Sequence, residues 1–346
     1  MSSDIVTDTG GDRQLAEFRE QIGRHFVRAE PRQRVWAYIT MLLSEQARKN
    51  AWAISLRAGE RSPDGMQRLV RNAGWDVEGV RDAVRQFVVE QIGSADPADG
   101  VLVAGATEFV KRGDRTVAVE RQYVPARQRR ENCQIGVLAG YATGLRCALI
   151  DRELYLPESW ASSPERRRTA GIPDHVTAEP QAELARRIVA RSLKARLPVG
   201  CLVSVEPYGR HAPLLDWLDE RGLPYLLGMD GPGLTSVRLA GDPANLPDTF
   251  RVSPLFWNRT PAPGGAGRWI LSSGGDSGMR FICGGPSGRA PLDVVPAVFA
   301  SMAFRRCIDD ARARAGLDAY QLRTYQGWYR HITLALAASA CLLPSR

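Results

Sequence analysis

Lysine is almost missing from this chain. Lys49, Lys111 and Lys194 are the only three among 46 lysines and arginines in 346 residues, so nearly all the positive charge is arginine. The formal net charge of +8 suits a polyanionic partner, although GC-rich coding would produce the same arginine excess. Zinc-ligand spacing is missing too. The cysteines at 133, 147, 201, 283, 307 and 341 form no CxxC pair and sit among apolar or small residues. They read as buried thiols of a cytosolic protein, neither disulfides nor zinc ligands. His25, His175 and His211 are too dispersed for a metal site, and His331 reads as a packing or capping residue. Ser204 and Cys201 have no identifiable base, which weighs against nucleophilic catalysis. No apolar run is long enough to cross a bilayer: Ile332 to Leu343 falls short. The polar, partly acidic start MSSDIVTDTGGDRQ is no secretory signal. The expectation is a cytoplasmic protein with no membrane partner.

What is present is ordinary for a globular protein: 44% hydrophobic and 24% charged residues. The length allows two domains, or one with a large insertion. Residues 1–13 read as a disordered tail. From Gln14 to about Ile92 apolar residues recur at helical spacing, as in Phe18, Ile22 and Phe26, then Val35 and Ile39. A helix over Val77–Ile92 places Val80, Val84, Phe87 and Val88 on one face. The helix at Pro63–Ala73 turns Met66, Leu69 and Val70 inward and leaves Gln67, Arg68, Arg71 and Asn72 for base and phosphate contacts.

Asp96–Gly100 reads as a turn and a domain boundary, after which the period changes. Val101–Ala104, Thr116–Tyr123, Cys133–Tyr141 and Arg146–Ile150 are strand candidates. They are followed by a helix at Pro180–Arg196, a strand at Val199–Val205, a helix at Leu214–Arg221 and a strand at Tyr225–Gly228. This order predicts an α/β fold around a mixed sheet. Residues 231–291, rich in Gly and Pro, read as an insertion with β-prone pieces at Ser236–Ala240, Arg268–Ser272 and Met279–Cys283. Val294–Ala315 and Tyr325–Leu343 close the chain as helices. The basic run Arg127, Arg129 and Arg130, and the cluster Arg166–Arg168, suit phosphate contacts; they read equally as solvated surface.

Several blocks resemble insertion-sequence transposases of the DDE type: PDGMQRLVRNAGWDVEGVRD, RQYVPARQRRENCQIGVLAGYA, LIDRELYLPESWASSPERRRTAGIP and GLDAYQLRTYQGWYRHITLAL. The resemblance runs from about Phe18 to Leu342. It implies a ribonuclease-H-like mixed sheet flanked by helices (100–346), a β-rich insertion (about 231–291) and an N-terminal helical domain (14–95) suited to DNA. It also implies three acids that clamp two divalent metals. Thr107, Phe109, Lys111 and Gly113 fix the register of the first, which falls on Gly105. Ser204, Glu206, Tyr208 and Gly209 place the second at Val205. Counting back from Gly316-Leu317-Asp318 places the third at Arg305, and the family's following lysine becomes Arg312.

Neither Gly nor Val offers a ligand, and Arg brings a fixed positive charge. The expectation is therefore a domesticated, catalytically inactive transposase relative with no metal or other cofactor. Glu108, Glu206 and Asp309 are displaced candidates for an acidic site, and magnesium would belong only to that arrangement. Strand alternation would turn Glu206 away from Val205, and these carboxylates read more readily as solvated or ion-paired. DNA is the expected partner, in a regulatory role. The alternatives are a cleft reused for a small-molecule ligand or reaction, and an inert relic; a homo-oligomer remains open.

Overall fold

The computed structural model describes residues 9–44, 62–124, 127–229, 257–261, 267–273, 280–285 and 297–344. The expected strand at Ser236–Ala240 and residues 1–8 of the expected tail lie outside them. Helix α1 (Thr9–Gly23) begins at Thr9, so the tail reading is corrected for residues 9–13.

The sheet begins with β1 (Gly100–Val110), far longer than the Val101–Ala104 run, because Thr107 and Phe109 continue inward-facing positions past the small residues. β1 pairs antiparallel with β3 (Arg129–Thr143), which carries β2 (Glu120–Val124) and β4 (Arg146–Leu154) along its other edge. β2 starts four residues later than the expected Thr116, as Ala118 takes a left-handed turn at φ 60°. On the other side of β1 run β5 (Cys201–Ser204) and β6 (Tyr225–Gly228), both parallel in register. The order β4-β3-β1-β5-β6 is the ribonuclease-H-like mixed sheet. The insertion extends it: β7 (Trp257–Pro261), β8 (Trp269–Ser273) and β9 (Arg280–Gly284) form antiparallel pairs, β9 docking on β6.

Helices pack against the sheet. α2 (Ala29–Leu42), α3 (Asp64–Arg71) and α4 (Val77–Ile92) form the N-terminal block, and the Asp76 carboxylate caps α4 by accepting from the Gly79 N–H at 2.9 Å. Short α5 (Glu158–Ala161) leads into α6 (Pro164–Ala170), which reads off its own sequence: Ser163 caps, Pro164 opens the first turn, and Gly171 at φ 64° ends it. α7 (Gln181–Lys194), α8 (Ala212–Glu220), α9 (Val298–Ala315) and α10 (Tyr325–Ala340) follow. α10 is apolar almost all round and accordingly buried. It packs on β4, α4, α3 and α2, so one hydrophobic core runs from Phe18 to Ala340 and joins the helical block to the sheet. Among the described residues no helix is long and apolar enough to cross a membrane. All six cysteines are free; Cys147 and Cys341 are only partly buried, which corrects the expectation of six buried thiols.

Candidate functional site

Gly105 lies in the middle of β1 on the face covered by α9. A β-carbon there would stand 2.9 Å from Cε1 of Phe304, and one at Gly140 on neighbouring β3 would stand 2.7 Å from Cδ2 of the same ring. Phe304 therefore occupies the space beside both glycines. Val205 follows β5 and packs with an apolar cluster of Val203, Leu226 and Phe281 that also takes in Ala297 and Val298 at the start of α9. Gly105, Val205 and the α9 turn carrying Arg305 thus lie on one side of the sheet. A pair of divalent cations does not fit there. Gly and Val have no donor atom, Arg305 is itself a cation, and a phenyl ring fills the adjoining volume.

The neighbouring acids are placed differently from one another. Strand β5 ends at Ser204, so the alternation expected to turn Glu206 away from Val205 does not extend to residue 206. The Glu206 carboxylate accepts from the Ala106 N–H and lies within electrostatic reach of Arg305 and Glu108. Burial raises its pKa; Arg305 and the Ala106 N–H lower it, Glu108 raises it again, and the net direction is up. Asp309 is exposed and pairs with Arg312 at 3.5 Å. Arg312 in turn donates to Thr107 Oγ1 at 2.5 Å and to the Glu108 carbonyl at 2.9 Å, fastening α9 to β1. Among the described residues no three His, Cys, Asp or Glu side chains are grouped to hold a metal.

At the far end of β1 the chain builds a groove of about 730 Å³ lined by Lys111, Arg112, Arg121, Arg127, Arg129 and Arg130, with Glu131 the one acid among its lining residues. Glu131 is held by Arg129 at 2.6 Å and by Arg127 at 3.2 Å. Lys111 Nζ stands 3.3 Å over the ring centroid of Tyr320. Burial pulls its pKa down to about 8, with Asp318 opposing. The sequence singled out Arg127, Arg129 and Arg130; it missed Lys111, Arg112 and Arg121, which the β1–β3 and β2–β3 pairings bring to the same place.

The N-terminal candidates form a separate site. Met66, Leu69 and Val70 of α3 are buried, Arg68, Arg71 and Asn72 are exposed, and Gln67 is half-buried. Arg68 and Asn72 line a groove of about 370 Å³ with Arg28 and Arg34 of the α2 region. The two grooves share no lining residue. In the Arg166–Arg168 cluster, Arg167 is structural: it donates to the carbonyls of Pro173 at 2.7 Å and Val176 at 2.9 Å.

Within the LIDREL block lies a buried network that the sequence reading passed over. Asp151 on β4 is fully buried and takes two bonds from Arg191, each 3.0 Å. Arg152, Arg81 and Arg85 approach it at 3.6, 3.8 and 3.9 Å. Glu78 binds Arg152 at 2.8 Å, and Glu153 binds Arg191 at 2.5 Å and the Tyr329 hydroxyl at 2.8 Å. The signal was an acid inside an apolar strand, facing arginines one helical turn apart at 81 and 85.

No curated protein matches the sequence. A family model described as DDE superfamily endonuclease matches residues 17–237, from α1 past β6 and over more than half of the chain. With a ribonuclease-H-like sheet beneath that match, the chain belongs to the DDE superfamily endonuclease family.

Proposed function

We propose that this transposase-derived chain binds nucleic acid but does not cut it. The observation that carries the binding is the groove at the end of β1, where five arginines and Lys111 surround a single acid already engaged by two of them. Guanidinium groups in such number neutralise phosphates and release counterions. α3, with Arg68, Arg71 and Asn72 on its open side, supplies a second contact. The family nuclease chemistry is lost because Gly105, Val205 and Arg305 stand where its metal ligands belong, and Phe304 fills the space beside them. The same ring argues against reuse of that cleft for a small molecule. Binding without cleavage suits a regulatory role.

The test is duplex binding by the purified full chain across a salt series, with plasmid nicking followed in magnesium and in manganese. Affinity should fall on the order of a thousandfold from low to moderate salt, weaken further in the Arg68→Ala/Arg71→Ala double variant, and be accompanied by no nicking. Absence of duplex binding even at low salt would remove the reading. Nicking abolished by Glu108→Ala or Asp309→Ala would show instead a displaced acidic site.

A further inference from the structure

Beside the basic groove, β2 and β3 form a two-stranded ribbon whose open face carries an aromatic ring. Tyr123 is 55% exposed, against an exposure of 0–8% for the tyrosines of the core. Register pairs it directly with Arg130, and Arg121 two residues earlier pairs with Asn132. Directly opposed residues of an antiparallel pair stand on the same face, as do residues two apart in one strand. Tyr123, Arg121, Arg130 and Asn132 therefore share one face. Three of these, Arg121, Arg130 and Asn132, also line the groove, so Tyr123 stands at its margin. Val27 and Leu145 are exposed as well, but they are aliphatic. Tyr123 alone of the three offers a flat π-face.

An exposed phenol ring costs little in water, yet it gains from covering its faces with another ring. A base in a duplex is already stacked on both sides and cannot supply one; an unpaired base can. Arginines tracking a phosphate backbone beside an aromatic platform are the elements of single-strand binding, in which stacking is tolerant of sequence because every base has a π-face. Asn132 adds a side-chain amide able to bond a base edge.

We infer that the β2–β3 ribbon holds an unpaired stretch of nucleic acid, with a base stacked on Tyr123 and its phosphates on Arg121 and Arg130. The inference rests on the nucleic-acid reading above and deepens it, separating a strand-binding ribbon from the duplex contacts of α3. It requires no metal and no chemical step.

Fluorescence anisotropy on the full chain tests it, using labelled oligothymidylate and a labelled duplex of equal length, compared at the same concentrations across a salt series. Tyr123→Ala should weaken oligothymidylate binding about tenfold, the loss expected for one stacked base, and leave duplex binding unchanged. Tyr123→Phe should bind as the wild type does, since the π-face remains. Because Tyr123→Ala removes no charge, its salt slope should match the wild type. Oligothymidylate affinity unaltered by Tyr123→Ala, or both probes weakened equally, would overturn the stacking site while leaving nucleic-acid binding intact. Failure of the wild type to bind either probe at low salt would overturn both. Thermal melts of each variant exclude unfolding as the cause, Tyr123 being exposed.

Discussion

The ring of Phe304 lies against the backbone of Gly105, with Cε1 2.9 Å from where a β-carbon would stand. Phe304 is also the residue next to Arg305, so the helix that carries a cation toward the sheet carries an apolar plug beside it. Placing an acid at position 105 therefore has a steric cost before any metal is considered. Gly105→Asp should destabilise the fold by about 1–3 kcal/mol through overpacking. Phe304→Ala should cost about 3–5 kcal/mol by leaving a cavity. The double variant should lose clearly less than the sum, because the new side chain enters the vacated volume. Urea unfolding of the four proteins measures the coupling, and strict additivity would show that the two residues do not compete for space.

Glu131 sits in the basic groove as an internal counterion. Glu131→Gln releases Arg127 and Arg129 from it, and duplex and single-strand affinity should both rise at low salt. The double variant Arg121→Ala/Arg130→Ala should bind more weakly and show a shallower dependence of log K on log salt, by roughly 0.7–0.9 for each phosphate no longer neutralised. A salt series on the same labelled oligonucleotides reads both effects.

Asp151 should be among the most sensitive positions for stability. Burial alone would raise its pKa, but the charges of Arg191 and Arg81 and the bonds from Arg191 outweigh it, so the carboxyl titrates below its ordinary value. Asp151→Asn leaves Arg81, Arg85, Arg152 and Arg191 facing one another without their shared anion, and should cost about 3–5 kcal/mol. A depressed carboxyl contributes stability above its unfolded pKa and loses it as pH falls through the folded one. Wild-type stability should accordingly drop as pH goes below about 4, and that acid limb should be smaller in Asp151→Asn.

His331 gives a pH dependence at milder acidity. Its ring is fully buried, with Nδ1 2.8 Å from the Tyr38 hydroxyl and Nε2 3.0 Å from the Gly316 carbonyl. The arrangement suits a neutral ring that accepts from Tyr38 and donates to Gly316. Burial lowers its pKa to about 3, with the Gly316 carbonyl opposing. The unfolded chain takes up a proton near the ordinary value of 6.5, while the folded chain does not until about 3. The unfolded state therefore binds more protons in between, and stability should fall as pH drops, by up to about 1.4 kcal/mol per pH unit. Urea unfolding at neutral pH and near pH 5 should show this loss in the wild type and a flatter response in His331→Gln. An equal slope in both proteins would show that His331 is protonated in the fold.

The elements with strong periodicity were legible along the chain. The helix Val77–Ile92 and the strand Tyr225–Gly228 fall where apolar spacing puts them, whereas α6 went unread although Ser163-Pro164 and Gly171 carry its capping signals. β1 was not read at its full length, because Thr107 and Glu108 interrupt the apolar run and its partners on β3 lie more than twenty residues away. Gly105, Val205 and Arg305 were legible as residues that cannot ligate a metal, since that follows from side-chain chemistry. Their placement beside a ring that fills the space is a product of packing: only the crossing of α9 over β1 and β3 brings Phe304 to Gly105 and Gly140 at once. The same holds for Asp151, whose arginines come from α4, β4 and α7, and for the basic groove, whose arginines and lysine come from three strand ends and the hairpin between two of them. Local patterns fix helices, strands and caps because those depend on neighbours in sequence. Charge clusters and filled cavities depend on which distant side chains share a volume, and the tertiary structure alone decided that.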